Sequence, residues 1–147
     1  MKKLLLMGLV ATLSGCSTPP PAAPRVQLEF RPASYDQTPG MTENAVKGST
    51  QKVYLSEQVL LSNEDVASAR ATKTPYAANV EITFTRDGTR RFALVTEQNL
   101  MKPIAIVVDG EVLSAPIVRE KITGARAIIS GDFTIEEATR IASGIRK

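Results

Sequence analysis

The sequence predicts an α+β fold with a single antiparallel or mixed β-sheet and two to three helices packed on one face of it. Three short apolar runs lie between Pro103 and Phe133 and predict three neighbouring strands. Such closely spaced strands pair antiparallel, because parallel neighbours need crossover connections of a dozen or more residues. Apolar residues recur with helical spacing over 89–101 and 135–145, which predicts two helices that bury one side against the sheet.

The first residues have the layout of a secretory signal peptide, which we assign to 1–15. Lys2 and Lys3 form a positive start, and the apolar run after them is well short of the roughly 20 residues that a membrane-spanning helix needs. The run closes on the small-residue motif Leu13, Ser14, Gly15 and Cys16. A permanent membrane span is therefore not expected here.

The motif that ends at Cys16 resembles the lipobox of bacterial lipoproteins, in which cleavage precedes a cysteine that then carries the lipids. The resemblance implies lipidation of Cys16, the only cysteine of the chain; an unmodified thiol near an ordinary cleavage site is the alternative. Several acyl chains on one residue anchor a protein stably, whereas a single chain holds it only marginally. Residue 17 is Ser rather than the Asp of a plasma-membrane retention signal, which favours the outer membrane of a Gram-negative host.

Residues 16–24 carry the predicted lipid and a proline-rich tether, and the predicted domain occupies 25–147. Loss of Lys2 and Lys3 with the signal peptide leaves 16 of the 18 basic side chains against 15 acidic ones. The mature chain is thus nearly neutral, without the block of like charge that attracts nucleic acid or anionic lipid. Its length suits one domain with one core.

The first strand of the domain is predicted over Arg25–Arg31, where apolar and polar residues alternate strictly. Pro32 is expected to end it. The polar stretch 34–51 contains Pro39-Gly40 and Gly48 and is expected to be a long mobile loop. A second strand is predicted within 52–61, with a break near Ser56.

A short helix is predicted from Ser62 to about Arg70, because Ser62 followed by acidic residues resembles a capping box. A connector over 71–78 leads to the next strand, Asn79–Thr85, which alternates again. The helix over 89–101 follows and is stopped by a proline.

The central run begins with a strand over 104–108, and Asp109-Gly110 after it predicts a type I′ hairpin turn. Both central residues of such a turn need positive φ, which Asp tolerates and Gly adopts freely. Further strands are predicted near 111–113 and 127–130. Thr134 and Glu137 have the spacing of a capping box and predict the start of the C-terminal helix.

The segment from Val53 to Arg146 resembles the head subdomain of the first periplasmic domain of SecD, part of the SecDF accessory complex of the Sec translocase. Three motifs in order carry the resemblance: DGEVLSAP at 109–116, ITG at 122–124 and ISGDFTIEEA at 129–138. Gly124-Ala125 stands where the family usually has two glycines. SecD continues into a transmembrane bundle that this chain does not include, so the resemblance implies a periplasmic module that contacts polypeptides or envelope partners rather than a proton-driven motor.

The residue types present exclude several kinds of chemistry. The chain has no histidine and a single cysteine, which excludes His/Cys metal sites and Ser-His-Asp or Cys-His catalysis within it. No cofactor, metal or nucleic acid is expected. Glu136 and Glu137 are adjacent, but consecutive helical residues project in different directions, and the cap already accounts for Glu137.

Two surface features are candidate partner contacts. Arg86, Arg90 and Arg91 form a basic cluster near a helix start, which is either a solvated face or a contact for an acidic partner. Ser114, Ala115 and Pro116 form the second candidate, because a proline fits a strand edge to which an extended peptide can add. The same proline can instead protect that edge from aggregation.

The leading functional hypothesis is a lipid-anchored, periplasm-facing, non-catalytic binding module that contacts exported polypeptides. The first alternative is an accessory or pilot lipoprotein subunit of a secretion or envelope machine, which would have one folded partner. The second is an enzyme that uses only carboxylates or Ser and Lys, which would need two convergent carboxylates in a cleft.

Overall fold

The computed structural model describes residues 25–145, so the signal peptide, the lipid site at Cys16 and the tether lie outside the described residues. The described residues form two antiparallel sheets, two α-helices and one 3-10 turn. In chain order the strands are β1 Leu28–Ser34, β2 Thr42–Ala45, β3 Lys52–Leu55, β4 Leu61–Ser62, β5 Val66–Lys73, β6 Ala78–Phe84, β7 Ile104–Val108, β8 Glu111–Ser114 and β9 Arg126–Ser130. The helices are α1 Arg86–Gln98 and α2 Ile135–Ile145, and the 3-10 turn is Asn63–Asp65.

The α+β class is confirmed, but the prediction of a single sheet is wrong. Sheet 1 has the order β2-β3-β1-β7-β8, with β4 also paired to β1, and sheet 2 has the order β5-β6-β9. The three strands predicted between Pro103 and Phe133 are therefore divided, because β9 pairs with β6 rather than with the β7–β8 hairpin. Residues 115–125 separate β8 from β9 and are long enough to carry the chain from one sheet to the other.

Strand β7 explains why its sequence is a continuous apolar run. All five of its residues are buried. Its first, third and fifth side chains join the large core, whereas Ala105 and Val107 join a second, smaller apolar cluster on the opposite face of sheet 1. A strand buried on both faces has no solvent side on which polar residues are required.

Pro32 does not end β1, contrary to the prediction. It pairs in register with Ile104, and β1 continues to Ser34. On the other side of β1, β4 pairs as far as Phe30 and β3 begins at Ala33. Pro32 thus lies at the gap between two partners, where no ladder needs the N–H that proline lacks.

The segment after the capping box at Ser62 is a strand rather than a helix. The box is present, since Ser62 N donates to Asp65 Oδ2 at 2.9 Å, but it caps only the short 3-10 turn. Residues 66–73 then pair with β6 along its whole length. Helix propensity is a weak preference, and it is overridden here by the pairing of this segment with β6. The predicted strand over 79–85 is confirmed, and its alternating side chains Val80, Ile82 and Phe84 are buried.

The stretch 34–51, predicted to be a mobile loop, contains β2, which forms a hairpin with β3. The end of this hairpin docks on the rest of the domain through Lys47. Its backbone N donates to Val112 O at 2.8 Å, and its Nζ lies 3.3 Å from Glu111 and 3.2 Å from Glu137. Burial alone lowers the pKa of Lys47, but its bonds to Glu137 and Glu111 outweigh this and raise that pKa above the ordinary value.

Helix α1 begins at Arg86, three residues before the predicted start. Thr85 caps it by accepting from Gly88 N at 2.9 Å. Gly88 packs directly on the backbone of Asp65, whose carbonyl accepts from Thr85 N at 2.7 Å. The carboxylate of Asp65 is almost wholly buried and pairs with Arg91 at 2.9 Å, so this junction fixes α1 against the 3-10 turn.

The hairpin turn and the C-terminal cap are both confirmed. Asp109 has φ 50° and Gly110 has φ 83°, as a type I′ turn requires. Thr134 N donates to Glu137 Oε2 at 2.9 Å, and Glu137 N donates to Thr134 Oγ1 at 3.2 Å. The buried stripe of α2 consists of Ala138, Ile141, Ala142, Gly144 and Ile145.

Candidate functional site

One concave surface of the described residues is a mainly apolar groove of about 520 Å³. Its floor comes from sheet 1, through Phe30, Ile104 and Ile106. One wall is helix α1, with Phe92 and Thr96. The groove is closed by two segments that follow β8, namely residues 116–122, which we call the strap, and the first half of β9.

Three phenylalanines pack against one another at the groove, and two of them, Phe30 and Phe92, belong to its lining. Phe84 and Phe92 have ring centroids 4.6 Å apart, and Phe30 lies 6.2 and 6.3 Å from them. The rings are tilted or edge-on to one another, which is the favourable geometry for aromatic pairs. Because these side chains come from β1, β6 and α1, their packing holds these three elements together at the floor and wall of the groove.

The strap is held to the domain by backbone bonds at its beginning and by a side chain at its end. Pro116 O accepts from Ile104 N at 3.0 Å, and Val118 exchanges bonds with Lys102 and Met101 at 3.0 and 2.8 Å. Ile122 N donates to Thr96 Oγ1 at 2.9 Å. The chain between these anchors, residues 119–121, is exposed.

Thr96 positions the strap against α1, a role that its sequence pattern, which predicts only the buried face of a helix, does not indicate. The residue is 1% exposed, and its hydroxyl donates within α1, to Phe92 O at 3.0 Å or Ala93 O at 3.1 Å, while accepting from Ile122 N. A buried hydroxyl needs hydrogen-bond partners. A threonine among the apolar residues of a helix face is therefore the one sequence signal for this positioning role. Thr96 therefore fixes the distance between α1 and the strap.

The rim of the groove exposes three large aliphatic side chains. Ile117, Ile122 and Ile128 are 40%, 38% and 62% exposed. Single exposed aliphatic residues are ordinary, but several around one apolar depression mark a surface for a partner. The charged residues of the lining are Arg119, Glu120 and Arg126.

The predicted peptide-binding edge, Ser114 to Pro116, lies where β8 meets the strap. Ser114 pairs with Ile106, and Ala115 is buried with its carbonyl accepting from the Tyr35 hydroxyl. The carbonyl of Pro116 is bonded to Ile104 N. Two backbone acceptors of this edge are thus already used, and the exposed ring of Pro116 is the part that joins the groove.

The predicted basic cluster lies at the other end of α1 from the strap. Arg90 pairs with Asp87 on the same helix, and Arg91 pairs with the buried Asp65. Arg86 has no ion pair among residues 25–145. Two of the three guanidinium groups therefore have structural partners, and contact of the cluster with an acidic partner stays a prediction.

The carboxylates of Glu111 and Glu137 both pair with Lys47 Nζ, at 3.3 and 3.2 Å, which gives both a structural role. Glu137 accepts from Thr134 N, which is the main cause of the lowering of its pKa, and it also bonds Lys47. Within 25–145 no three acidic side chains are arranged to hold a metal ion, and no helix has the length and hydropathy to cross a membrane.

Comparison with known proteins gives consistent results for sequence and structure. Protein translocase subunit SecDF of Thermus thermophilus is 44% identical over 88 residues, which cover 59% of this chain and 12% of that protein. SecD of Magnetococcus marinus is 36% identical over 99 residues, which cover 67% of this chain and 19% of that protein. The chain thus spans less than a fifth of either relative.

The solved structures agree with this. SecDF in the super-membrane-facing form superposes with a TM-score of 0.68 at 31% identity, over 84% of this chain and 19% of that one. A structure of SecDF described as a membrane component that enhances protein export gives 0.67 at 30% identity, over 84% of this chain and 63% of that one. The family described as SecDF, P1 head subdomain, matches residues 39–147. The chain therefore belongs to the SecDF P1 head subdomain family.

Proposed function

We propose that this chain is a non-catalytic binding module of the cell envelope that contacts extended polypeptides during protein export. The observation that carries the proposal is the apolar groove with exposed Ile117, Ile122 and Ile128 at its rim. Extended segments of unfolded chains expose the aliphatic and aromatic side chains that such a lining can bury. Membership of a family whose named members are translocase subunits supports the same class of partner.

Two further features belong to this proposal. The motif at Cys16 supports a lipid anchor that holds the domain on the periplasmic face of a membrane, and Ser17 supports the outer membrane in a Gram-negative host. The Pro-rich tether after Cys16 supports a spacing between that membrane and the groove.

The experiment compares two substitutions of equal chemistry and equal exposure. Ile117 at the groove rim is 40% exposed, and Val59 in the connection between β3 and β4 is 41% exposed. In the full chain, we expect Ile117→Glu to weaken binding of labelled peptides with alternating apolar and polar residues by about tenfold or more, because a charge would be buried on binding. Fluorescence anisotropy measures the affinity.

The matched control, Val59→Glu, is expected to bind the same peptides as the unsubstituted chain does. Equal affinity of all three proteins would contradict the groove as the binding surface. Binding of one folded partner in a fixed ratio, with no affinity for the peptides, would instead favour the accessory-subunit function.

A further inference from the structure

Strand β9 is an edge strand that borders the groove. It is the last strand of sheet 2 and pairs only with β6 among the described strands. Its residues Arg126, Ala127 and Ile128 line the groove. The apolar surface and an unpaired strand edge therefore lie side by side.

The register of sheet 2 shows which backbone groups of β9 face this edge. Phe84 N donates to Ala125 O at 2.8 Å, so this pair lies at a hydrogen-bonded position of the antiparallel ladder. Hydrogen-bonded and non-hydrogen-bonded pairs alternate along such a ladder. Ala127, opposite Ile82, is then bonded to β6, whereas Arg126 and Ile128 direct their N–H and C=O groups away from β6.

These outward groups have no backbone partner in the structure. Outside the regular ladders, none of the backbone bonds found within 25–145 involves Arg126 or Ile128. Strand β8 also approaches β9, but Arg126 and Ile128 lie where β9 borders the groove. Unpaired edge groups are a template for an added strand.

Side chains at this edge favour pairing rather than preventing it. Ile128 is 62% exposed, although natural edge strands are usually protected by charge, proline or a bulge. Arg126 reaches Glu81 only at 4.0 Å, and Glu81 already bonds Arg70 at 2.8 Å. Arg119 on the strap has no ion pair among the described residues, so the rim combines one unpaired cation, the weakly paired Arg126 and one acid, Glu120.

We propose that an extended polypeptide segment adds to β9 as a fourth strand of sheet 2, with alternate apolar side chains in the groove and acidic residues next to Arg119 and Arg126. The added strand bonds the N–H and C=O groups of Arg126 and Ile128. This inference rests on the proposed polypeptide-binding function and specifies its binding mode and its preferred sequence.

The first test uses amide hydrogen exchange in the full chain with two probe peptides. Both carry the same alternating valines and threonines, and one is flanked by glutamates and the other by lysines. The glutamate-flanked peptide is expected to bind about tenfold more tightly, because two rim cations attract it and repel the other. On binding, exchange is expected to slow at the amides of Arg126 and Ile128, whereas Ala127 is already bonded to β6.

The second test separates the backbone edge from the side chain. Ile128→Pro removes the outward N–H without breaking the β6–β9 ladder, and Ile128→Ala removes the side chain but keeps the N–H. We expect Ile128→Pro to bind the glutamate-flanked peptide about tenfold more weakly than Ile128→Ala does. Thermal melting of both variants shows that each is folded.

The outcomes distinguish this inference from the function on which it rests. In one outcome, Ile117→Glu weakens peptide binding, but binding leaves amide exchange at Arg126 and Ile128 unchanged. This outcome would contradict strand addition and would still support the groove as the binding surface. If the chain binds neither peptide, both the proposed polypeptide-binding function and the strand addition are contradicted. If exchange at the same amides is already slow without peptide, and the protection increases with protein concentration, a second copy of the chain occupies the edge. That result would overturn peptide addition at this strand.

Discussion

Gly88 illustrates how one residue determines the packing of a helix in this protein. A Cβ at position 88 would lie 2.9 Å from the carbonyl carbon of Asp65 and closer still to its oxygen. Both atoms belong to the backbone, which is held in place by its bond to Thr85 and by the capped 3-10 turn. Only a residue without a side chain permits this approach.

We expect Gly88→Ala to lower the free energy of unfolding by about 1–3 kcal/mol, the usual range for an overpacked site. The intrinsic helix preference of alanine over glycine is about 1 kcal/mol in the other direction, and the collision with fixed backbone outweighs it. Denaturant unfolding measures the change. Gly124→Ala is the control, since a Cβ there meets no atom within 4 Å; an equally stable Gly88→Ala would contradict the close packing.

At the scale of elements, Lys47 connects the β2–β3 hairpin to the start of β8 and to the first turn of α2. The backbone bond from Thr134 first, and then the bond from Lys47, keep the pKa of Glu137 below its ordinary value of 4.5. A carboxyl whose pKa is lowered by folding stabilises the folded state above its unfolded pKa, and this stabilisation is lost as the pH falls through the folded pKa.

We therefore expect the stability of the chain to decline below about pH 4.5 in part through Glu137. Glu137→Gln removes that part, so the difference in unfolding free energy between the two proteins should be largest near neutral pH and shrink in acid. Urea unfolding at several pH values measures it. Glu136→Gln is the matched control, because Glu136 has no ion pair within 25–145, and a constant Glu137→Gln difference at all pH values would contradict the linkage.

Elements with a local cause could be predicted from the sequence. The Asp109-Gly110 turn and the Thr134 cap depend on residues within four positions of one another, and both are confirmed. The partner of β9 could not be predicted, because the run 127–130 is equally suited to either sheet and its choice depends on packing against β6. The prediction that Pro32 ends β1 is wrong for a similar reason, because the effect of a proline on a strand depends on which strands pair beside it.

The groove, like the pairing of β9, could not be predicted from local sequence patterns. Its lining combines Phe30, Phe92, Ile104 and Ile128, which are far apart in sequence and look like ordinary core residues until the two sheets are in place. The proposed edge at Ser114 to Pro116 came from a local motif, and only its last residue lies in the groove. Sequence patterns thus predicted a contact at Ser114 to Pro116, which stays a prediction, and did not indicate the groove.

For the whole molecule, the proposed lipid anchor at Cys16 is the feature that would decide where the groove acts. We expect Cys16→Ser to lose the incorporated lipid label and to move from the membrane fraction to the soluble fraction, because no other residue can carry the thioether-linked lipid. Fractionation with labelled fatty acid measures both. Ser17→Ala should stay anchored, and a Cys16→Ser chain that keeps its label in the membrane would contradict lipidation at this cysteine.

The described chain begins and ends at one place. Val26 N donates to Gly144 O at 3.0 Å, and the Asn63 side chain donates to both Val26 O and Ile145 O. This corner lies beside the Val108 end of β7, whereas the groove lies toward the Ile104 end, about 13 Å away at the rise of a strand. Residue 25 directly follows the predicted tether in the sequence, so the proposed anchor would attach at this corner. The groove then lies at the far end of β7 from the attachment, which places its mouth away from the anchored corner.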